Sequence, residues 1–146
     1  MPTSIREQVL AAVAARLGTI GGVTVERNRV EPVTAFPALV MIDGGHTVTE
    51  ENAGLKLYAS RFDVEGYVQT TTAAELGPSL SDLYAKTVAA LMADRTLGGV
   101  AIDVREGELR DPEIDRTPGH APHAAFSLAF EVDYTTRPAD PYQPGP

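Results

Sequence analysis

The 146-residue sequence contains no cysteine. The chain therefore has no disulfide bonds, no thiolate ligands for zinc and no cysteine nucleophile. It also has no apolar run close to the roughly eighteen residues that a membrane-spanning helix needs. The first residues, MPTSIREQ, lack the basic and apolar segments of a signal peptide, so we expect a soluble protein of the cytoplasm.

Basic residues are scarce: 12 lysines and arginines stand against 20 aspartates and glutamates, which gives a formal net charge of −8. Proteins that grip nucleic acid do so mainly through clustered lysine and arginine side chains, and the sequence has no such cluster. We therefore do not expect direct binding of DNA. An acidic surface is compatible with a protein past which nucleic acid moves without adhering.

Signatures of catalysis are also missing. The motifs GGH and LGG lack the spacing and the lysine of a phosphate-binding loop, and no serine lies in a nucleophile elbow. His120 and His123 have a spacing found in zinc sites, but no second ligand pair accompanies them. His46 and Asp43 could complete such a site only if two distant segments converged. We therefore predict no enzymatic activity, no metal site and no cofactor.

Two segments have the periodicity of amphipathic helices. In residues 4–17 apolar side chains recur every four positions, and Ser4 and Glu7 have the spacing of a capping box. Gly18 stands where a left-handed residue would end this helix. In residues 78–93 apolar side chains recur at steps of three and four. Both segments predict a helix with one apolar face.

Five segments have strand patterns. Residues 23–30 predict a short strand, and residues 36–43, almost continuously apolar, predict a central strand covered on both faces. Residues 55–70, 100–109 and 125–136 alternate between apolar and polar side chains, which is typical of a half-buried strand. In the fourth segment the alternation predicts that the side chains of Val100, Ile102 and Val104 face inward.

Three polar segments connect or follow these elements. Residues 44–54 indicate either a long hairpin loop or the projecting ends of two strands. Residues 110–124 contain three prolines and are expected to form a loop. Residues 1–138 are predicted to form a single domain, and residues 139–146 an extended, proline-rich C-terminal tail.

The predicted fold class is α+β, a mostly antiparallel sheet with two amphipathic helices packed on one face. The long strands 55–70 and 125–136 would leave exposed edges, which a neighbouring subunit could cover. The other face of the sheet is expected to be electronegative, because the strand alternation directs five carboxylates toward it: Asp63, Glu65, Asp103, Glu131 and Asp133.

The order of these segments resembles that of the tail terminator proteins of long-tailed phages and related gene transfer agents, also known as tail completion or minor tail protein U-like proteins. The matching stretches, within residues 4–138, are SIREQVLAAVAARL, FPALVMIDGG, RFDVEGYVQ, LSDLYAKTVAALMAD, LGGVAIDVREGEL and FSLAFEVDYTTRP. Each stretch consists of common apolar and turn residues, so their order and spacing carry the resemblance.

The resemblance implies a structural protein without enzymatic activity. Proteins of this family form a ring, usually a hexamer, that caps the finished tail tube and ends its elongation. The ring provides the surface for head–tail joining, and DNA passes through its lumen without specific binding. The implied partners are further copies of the chain, the tail tube protein and neck or head-completion proteins. The implied location is the host cytoplasm during assembly, and then the phage or phage-like particle.

We predict assembly contacts in the polar segments, because long loops on a compact body often carry function. The residues are His46, Thr47, Glu50, Glu51, Arg110, Asp111, Asp115, Arg116, Arg137 and Tyr142. We further hypothesise that the five carboxylates line the lumen and repel DNA. The alternatives are a neck or head-completion (connector) protein, a tail tube subunit that polymerises without limit or, from another class, a small-ligand- or metal-binding domain.

Overall fold

The computed structural model describes residues 2–115 and 117–146, apart from the side chain of Asp111. Within these residues the chain forms two α-helices and one sheet of six strands, so the predicted α+β class is confirmed. In chain order the elements are α1 (Ile5–Leu17), β1 (Thr24–Arg27), β2 (Ala38–Glu51), β3 (Lys56–Gln69), α2 (Leu76–Met92), β4 (Asp103–Asp115), β5 (His123–Arg137) and β6 (Asp140–Pro144). Neither helix in this part of the chain has the length and apolar character needed to cross a membrane.

The strands lie in the order β1-β2-β3-β5-β4, and β6 pairs with the end of β5 that β4 leaves free. The β1–β2 pair is parallel and the other pairs are antiparallel. Both helices pack on the same face of this sheet, as predicted. The prediction of exposed edges on the two long strands is wrong, because β3 and β5 are interior strands. The open edges belong to β1 and β4.

Helix α1 begins where the sequence predicts, but the hydrogen bonds and backbone conformation at its two ends differ from the prediction. The Ser4 hydroxyl accepts a hydrogen bond from the backbone N–H of Glu7 at 3.1 Å. The Glu7 carboxylate does not complete the capping box, since it binds Arg27 instead. Gly18 is right-handed (φ −63°), and its N–H continues the helical pattern to the carbonyl of Ala14. The expected left-handed cap at Gly18 is therefore wrong.

The core lies between the helices and the inner face of the sheet. Helix α1 buries Ile5, Val9, Leu10, Val13 and Leu17, and α2 buries Leu76, Leu80, Leu83, Thr87 and Leu91. The sheet contributes Leu39, Met41, Phe62, Val64, Val68, Phe126, Leu128, Phe130, Val132 and Tyr134. Each large apolar side chain fully buried in this way stabilises the fold by about 1.5–3 kcal/mol. The predicted alternation of β3 and β5 is thereby confirmed.

Strand β2 is buried on both faces only over its first residues, Ala38 to Met41. The outer side of Val40 is covered by the segment between β1 and β2, which contributes Val33 and Phe36 there. The strand then continues through the polar residues as far as Glu51, paired with β3. The second alternative for this segment, two projecting strand ends, is therefore the correct one.

Strand β4 contradicts the prediction of a loop over residues 110–124, because it extends to Asp115 and β5 begins at His123. Pro112 is tolerated because β4 is an edge strand, where a missing N–H can point away from the ladder. The pairing with β5 also shifts register twice in this region. Bulges of this kind absorb residues that do not fit a regular strand.

The segment before β4 departs from strand alternation. Val104 is fully buried as predicted, but Ile102 is 52% exposed, so its predicted inward position is wrong. The reason is that regular strand structure begins only at Asp103. The preceding residues form a 3-10 turn, Leu97–Gly99, in which the backbone of Gly98 and Gly99 has positive φ.

The C-terminal segment is extended, as predicted, but it is not free. Strand β6 pairs Asp140 with Arg137 and Pro144 with Thr136, and so adds a short strand beside β5. The division of the chain into a domain and a tail near residue 138 stays a prediction.

Candidate assembly surfaces

The face of the sheet away from the helices, called the open face below, carries the five carboxylates that the alternation predicts. Along β3 and β5, Asp63 lies opposite Ala129 and Glu65 lies opposite Ser127. At the start of β4, Asp103 lies opposite Asp133, and Glu131 lies opposite Arg105. The strand register therefore brings Asp63, Glu65, Asp103, Glu131 and Asp133 together on one surface.

Arginines neutralise much of this surface. The guanidinium of Arg105 donates hydrogen bonds to both Glu131 and Asp133. Arg95 donates two to Asp103, at 2.6 and 3.0 Å, and thereby lowers the pKa of that carboxyl. The open face thus carries ion pairs between arginines and carboxylates and is not a uniformly negative surface. The alternation that selected Asp103 also places Arg105 on the same face.

At the centre of the open face lies a shallow depression of about 450 Å³. Its charged lining residues are of both signs: Arg61, Arg105, Arg110, Asp63, Glu106 and Glu131. Arg110 approaches Asp63 to 3.8 Å. Surface ion pairs at such distances contribute little to stability.

Tyr67 lies on the open face, near the C-terminal end of β3. Its hydroxyl donates a hydrogen bond to Glu65 at 3.0 Å. Burial and this bond raise the pKa of Tyr67 to about 12. The phenol therefore remains protonated and continues to donate to the carboxylate throughout the neutral range.

The projecting ends of β2 and β3, residues 46–60, form a structure that we call the arm. The imidazole of His46 packs edge-on against Tyr58, with ring centroids 4.8 Å apart, and Tyr58 stacks on Tyr134 at 5.0 Å. The predicted contact residues Thr47, Glu50 and Glu51 are exposed strand residues of the arm and not loop residues.

Arg6 of helix α1 holds the base of the arm. Its guanidinium donates to the Ser60 hydroxyl at 3.0 Å and to the Gly44 carbonyl at 2.7 Å. The β2–β3 register shifts just beyond Gly44, whose missing side chain lets the strand lie against the Arg61 carbonyl. Burial, together with the charges of Arg6 and Arg61, lowers the pKa of His46.

A second ion-pair network ties α1 to the edge of the sheet. Arg27 of β1 donates two hydrogen bonds to the Glu7 carboxylate, at 2.6 and 2.9 Å, and two to Asp43, at 2.9 and 2.7 Å. These bonds lower the pKa of both carboxyls and raise that of the guanidinium. Sequence reasoning missed this network, because nothing in the local pattern around Arg27 distinguishes it from a solvent-exposed residue.

The second predicted contact segment lies mostly on β4. Arg110 and Asp115 are strand residues and not loop residues, and Asp115 approaches the His123 imidazole to 3.3 Å. Hydrogen bonds from Thr117 lower the pKa of Asp115. The predicted contacts at the Asp111 side chain and at Arg116 lie outside the described residues.

The third predicted contact segment is the C-terminal one. Arg137 and Tyr142 are both exposed, and the backbone N–H of Tyr142 is held by the side chain of Asp140 at 3.0 Å. The two residues lie on β5 and β6, beside the end of the sheet that carries the arm. The arm and the C-terminal strand therefore form one end surface.

The histidines do not converge on a common site in the described part of the chain. His123 faces Asp115, whereas His46 lies on the arm against Tyr58. Over residues 2–115 and 117–146, the side chain of Asp111 apart, no group of three histidine or carboxylate side chains could hold a metal ion.

The sequence matches no protein-family model and no curated protein. Among solved structures, the chain is similar to one in "Virion of native gene transfer agent (GTA) particle", with 14% sequence identity and a TM-score of 0.37. The similarity covers 89% of this chain and 90% of that chain. A likeness this distant assigns no function to the chain.

Proposed function

We propose that this protein is a tail terminator. Six copies form a ring that caps a tail tube, ends its elongation and presents a surface for head–tail joining. The proposal rests on the resemblance of the sequence to that family. Each resembling stretch corresponds to one element of the fold, in the order α1, β2, β3, α2, β4 and β5. The protein acts through surfaces and has no enzymatic activity or cofactor in this proposal.

One structural observation supports a role in assembly above the others. The sheet is covered by helices on one face only, and it ends in two open edges, β1 and β4. Open edges invite pairing with another chain unless something blunts or covers them. A closed ring of identical subunits joins one edge surface of each copy to the other edge surface of the next.

In the same proposal the open face lines the lumen of the ring. Its carboxylates outnumber its arginines, and Arg105 is held by Glu131 and Asp133 and so kept from phosphate. DNA could then pass without adhering, since phosphate contacts depend on available lysine and arginine. The arm, with His46, Thr47, Glu50 and Glu51, and the C-terminal strand, with Arg137 and Tyr142, form an end surface suited to the tube or the neck.

The lumen proposal is tested by the double variant Glu131→Gln, Asp133→Asn. Removal of both carboxylates frees Arg105, so assembled variant rings should retain DNA at low salt and release it as the salt concentration rises. Wild-type rings should retain none. Equal behaviour of the two proteins would show that this face does not meet DNA.

The capping function is tested by adding the purified protein to tail tube protein that is elongating in vitro. A terminator should shorten the tubes at substoichiometric amounts and should be found at one end of each tube by electron microscopy. Tubes of unchanged length would contradict the proposal. If the protein itself formed long tubes, it would be a tube subunit.

A further inference from the structure

The outer edge of β2 is covered over only part of its length. Strand β1 pairs with it from Ala38 to Met41. Asn28 then takes a left-handed conformation (φ 54°) that ends β1, and its side chain accepts a hydrogen bond from the N–H of Asp43 at 2.9 Å. In the described part of the chain no other strand pairs with this side of β2, so the arm has an open edge.

Val48 lies on the arm and is 43% exposed. It stands between two threonines, Thr47 and Thr49, and residues 44–52 contain no proline, lysine or arginine. Prolines and lysines are among the residues with which proteins protect an open edge. The base of the arm is also held in place, by the hydrogen bonds from Arg6 of α1. The arm therefore presents Val48 in a fixed position, without the usual protection against another chain.

At the opposite edge of the sheet, residues 93–102 join α2 to β4 and form a structure that we call the corner. Its Leu97 is buried in the core, whereas Ile102 is 52% exposed. The carboxylate of Asp94 accepts a hydrogen bond from the backbone N–H of Gly98 at 2.9 Å. The corner is thus held in shape by its own side chains, with Ile102 left partly in water.

The strand register places Val48 and Ile102 at the same height. The row of paired residues that begins at Thr47 crosses β3 and reaches Asp133 of β5, whose carbonyl accepts a hydrogen bond from the N–H of Ile102 at 2.8 Å. The same row ends on β4 at Asp103. Val48 follows Thr47 and Ile102 precedes Asp103, and β2 and β4 run in opposite directions. Both apolar side chains therefore lie one residue from this row, on the side of the arm.

Charges beside the two apolar side chains are complementary. On the arm, Glu50 is exposed two residues after Val48. On the corner, the side chain of Arg95 binds Asp103 at 2.6 Å and remains 52% exposed. An anion on one surface and a cation on the other, each beside an apolar side chain, favour a single orientation of two partners.

We propose that Val48 of one copy of this chain packs against Ile102 of the next copy, with Glu50 toward Arg95. Rotation about an axis parallel to the strands keeps equal heights together, so the arm edge of one copy meets the corner of the next. The two surfaces differ, so each added copy leaves one arm and one corner unoccupied until a ring closes.

This inference rests on the proposed function and names the contact between its subunits. The open faces of neighbouring copies lie on the same side of such a contact and can line one lumen. Glu50 then belongs to the contact between copies. The tip of the arm and the C-terminal strand stay available to the tube or the neck.

The test uses one variant of each surface, Val48→Asp and Ile102→Asp, in the full-length protein. Both side chains are partly exposed, so both variants should unfold at the wild-type temperature. The control is Ala85→Asp, which places the same charge at an exposed position of α2, away from the arm and the corner. Light scattering should find the wild type and the control assembled, and each interface variant monomeric.

Restored assembly gives the decisive result. The double variant Val48→Asp, Ile102→Lys places opposite charges on the two surfaces, so it should form rings again, whereas Ile102→Lys alone should not. A mixture of Val48→Asp and Ile102→Asp contains one intact arm and one intact corner. It should therefore stop at a complex of one copy of each.

Each other outcome decides between the contact and the function. Rings formed by either aspartate variant alone would overturn this contact and leave the terminator proposal intact. A double variant that stays monomeric would overturn the pairing of Val48 with Ile102. Open filaments of wild type, abolished in both single variants, would support the contact and overturn the terminator. A monomeric wild type with no mixed complex would overturn the contact, and tube capping would decide the function separately.

Discussion

Gly66 of β3 lies directly opposite Phe126 of β5, and the Phe126 ring occupies the space that a side chain at Gly66 would need. A Cβ atom at Gly66 would stand 2.2 Å from the ring. The ring in turn meets Tyr84 of α2 edge-on, with centroids 6.4 Å apart. The absence of a side chain at Gly66 thus makes room for the Phe126 ring in the core beside α2.

Gly66→Ala should therefore lower the free energy of unfolding by about 1–3 kcal/mol, the usual cost of overpacking a core. Denaturant unfolding measures this directly. The control is Gly21→Ala in the turn after α1, where a Cβ meets nothing within 4 Å and φ lies outside the left-handed region, so the free energy of unfolding should change little. Equal stability of the two variants would contradict the packing described here.

Arg27→Met should destabilise the protein by about 1–3 kcal/mol, because it leaves the Glu7 and Asp43 carboxylates without their shared partner. The control is Arg95→Met, which removes a more exposed pair with Asp103 and should lower the stability less, because exposed ion pairs are weak. Thermal unfolding at neutral pH compares the two. A cost at Arg27 no larger than at Arg95 would show that the network does not fasten α1 to the sheet.

The network of Arg27, Glu7 and Asp43 also predicts that the stability of the fold decreases in acid. Glu7 and Asp43 have lowered pKa values in the folded protein, so the unfolded chain takes up protons first as the pH falls. The stability they provide is complete above their ordinary pKa values of 4.5 and 3.8 and is lost as the pH falls through the folded values. Unfolding measured from pH 6 downward should be less steeply pH-dependent in Arg27→Met, since its two carboxyls would have nearly ordinary pKa values.

The lowered pKa of His46 predicts a second pH dependence of stability, closer to neutral pH. Its pKa is lowered from 6.5 in the folded protein, so stability should be complete above that value and should fall as the unfolded state gains a proton below it. The decline ends once the pH is below the folded pKa. His46→Gln should flatten this part of the stability profile, and amide exchange should place the wild-type loss in the arm. An unchanged profile would mean that His46 is not desolvated against Tyr58.

The fold could largely be predicted from periodicity, because both helices and the strands β3 and β5 bury one face each, and the spacing of their apolar residues follows from that burial. The sequence-based predictions were wrong where residues typical of loops or turns lie within strands that pair with a neighbour. Pro112 indicates a loop, yet an open edge strand tolerates its missing N–H. Gly44 and Gly45 indicate a turn, yet they form an irregular point within a continuous strand that Arg6 holds.

The candidate surfaces were less accessible to sequence reasoning than the fold. Alternation located the carboxylates of the open face, and the same alternation could have located Arg105 among them. An apolar groove of about 410 Å³ lies between α2 and β4. It depends on how the helix lies against a bulged edge strand, and no spacing in the sequence encodes that distance. The loop that contains Val30 is held by hydrogen bonds from Arg29 to Glu26, Glu31 and Pro32, which no spacing in the sequence indicates.

Ring formation is tested by negative-stain electron microscopy, combined with light scattering, on the purified protein over a wide range of concentrations. A tail terminator should form closed rings of a single size, with a mass that stops increasing once the ring is complete. Tubes that lengthen with concentration, or a protein that stays monomeric throughout, would contradict the proposal.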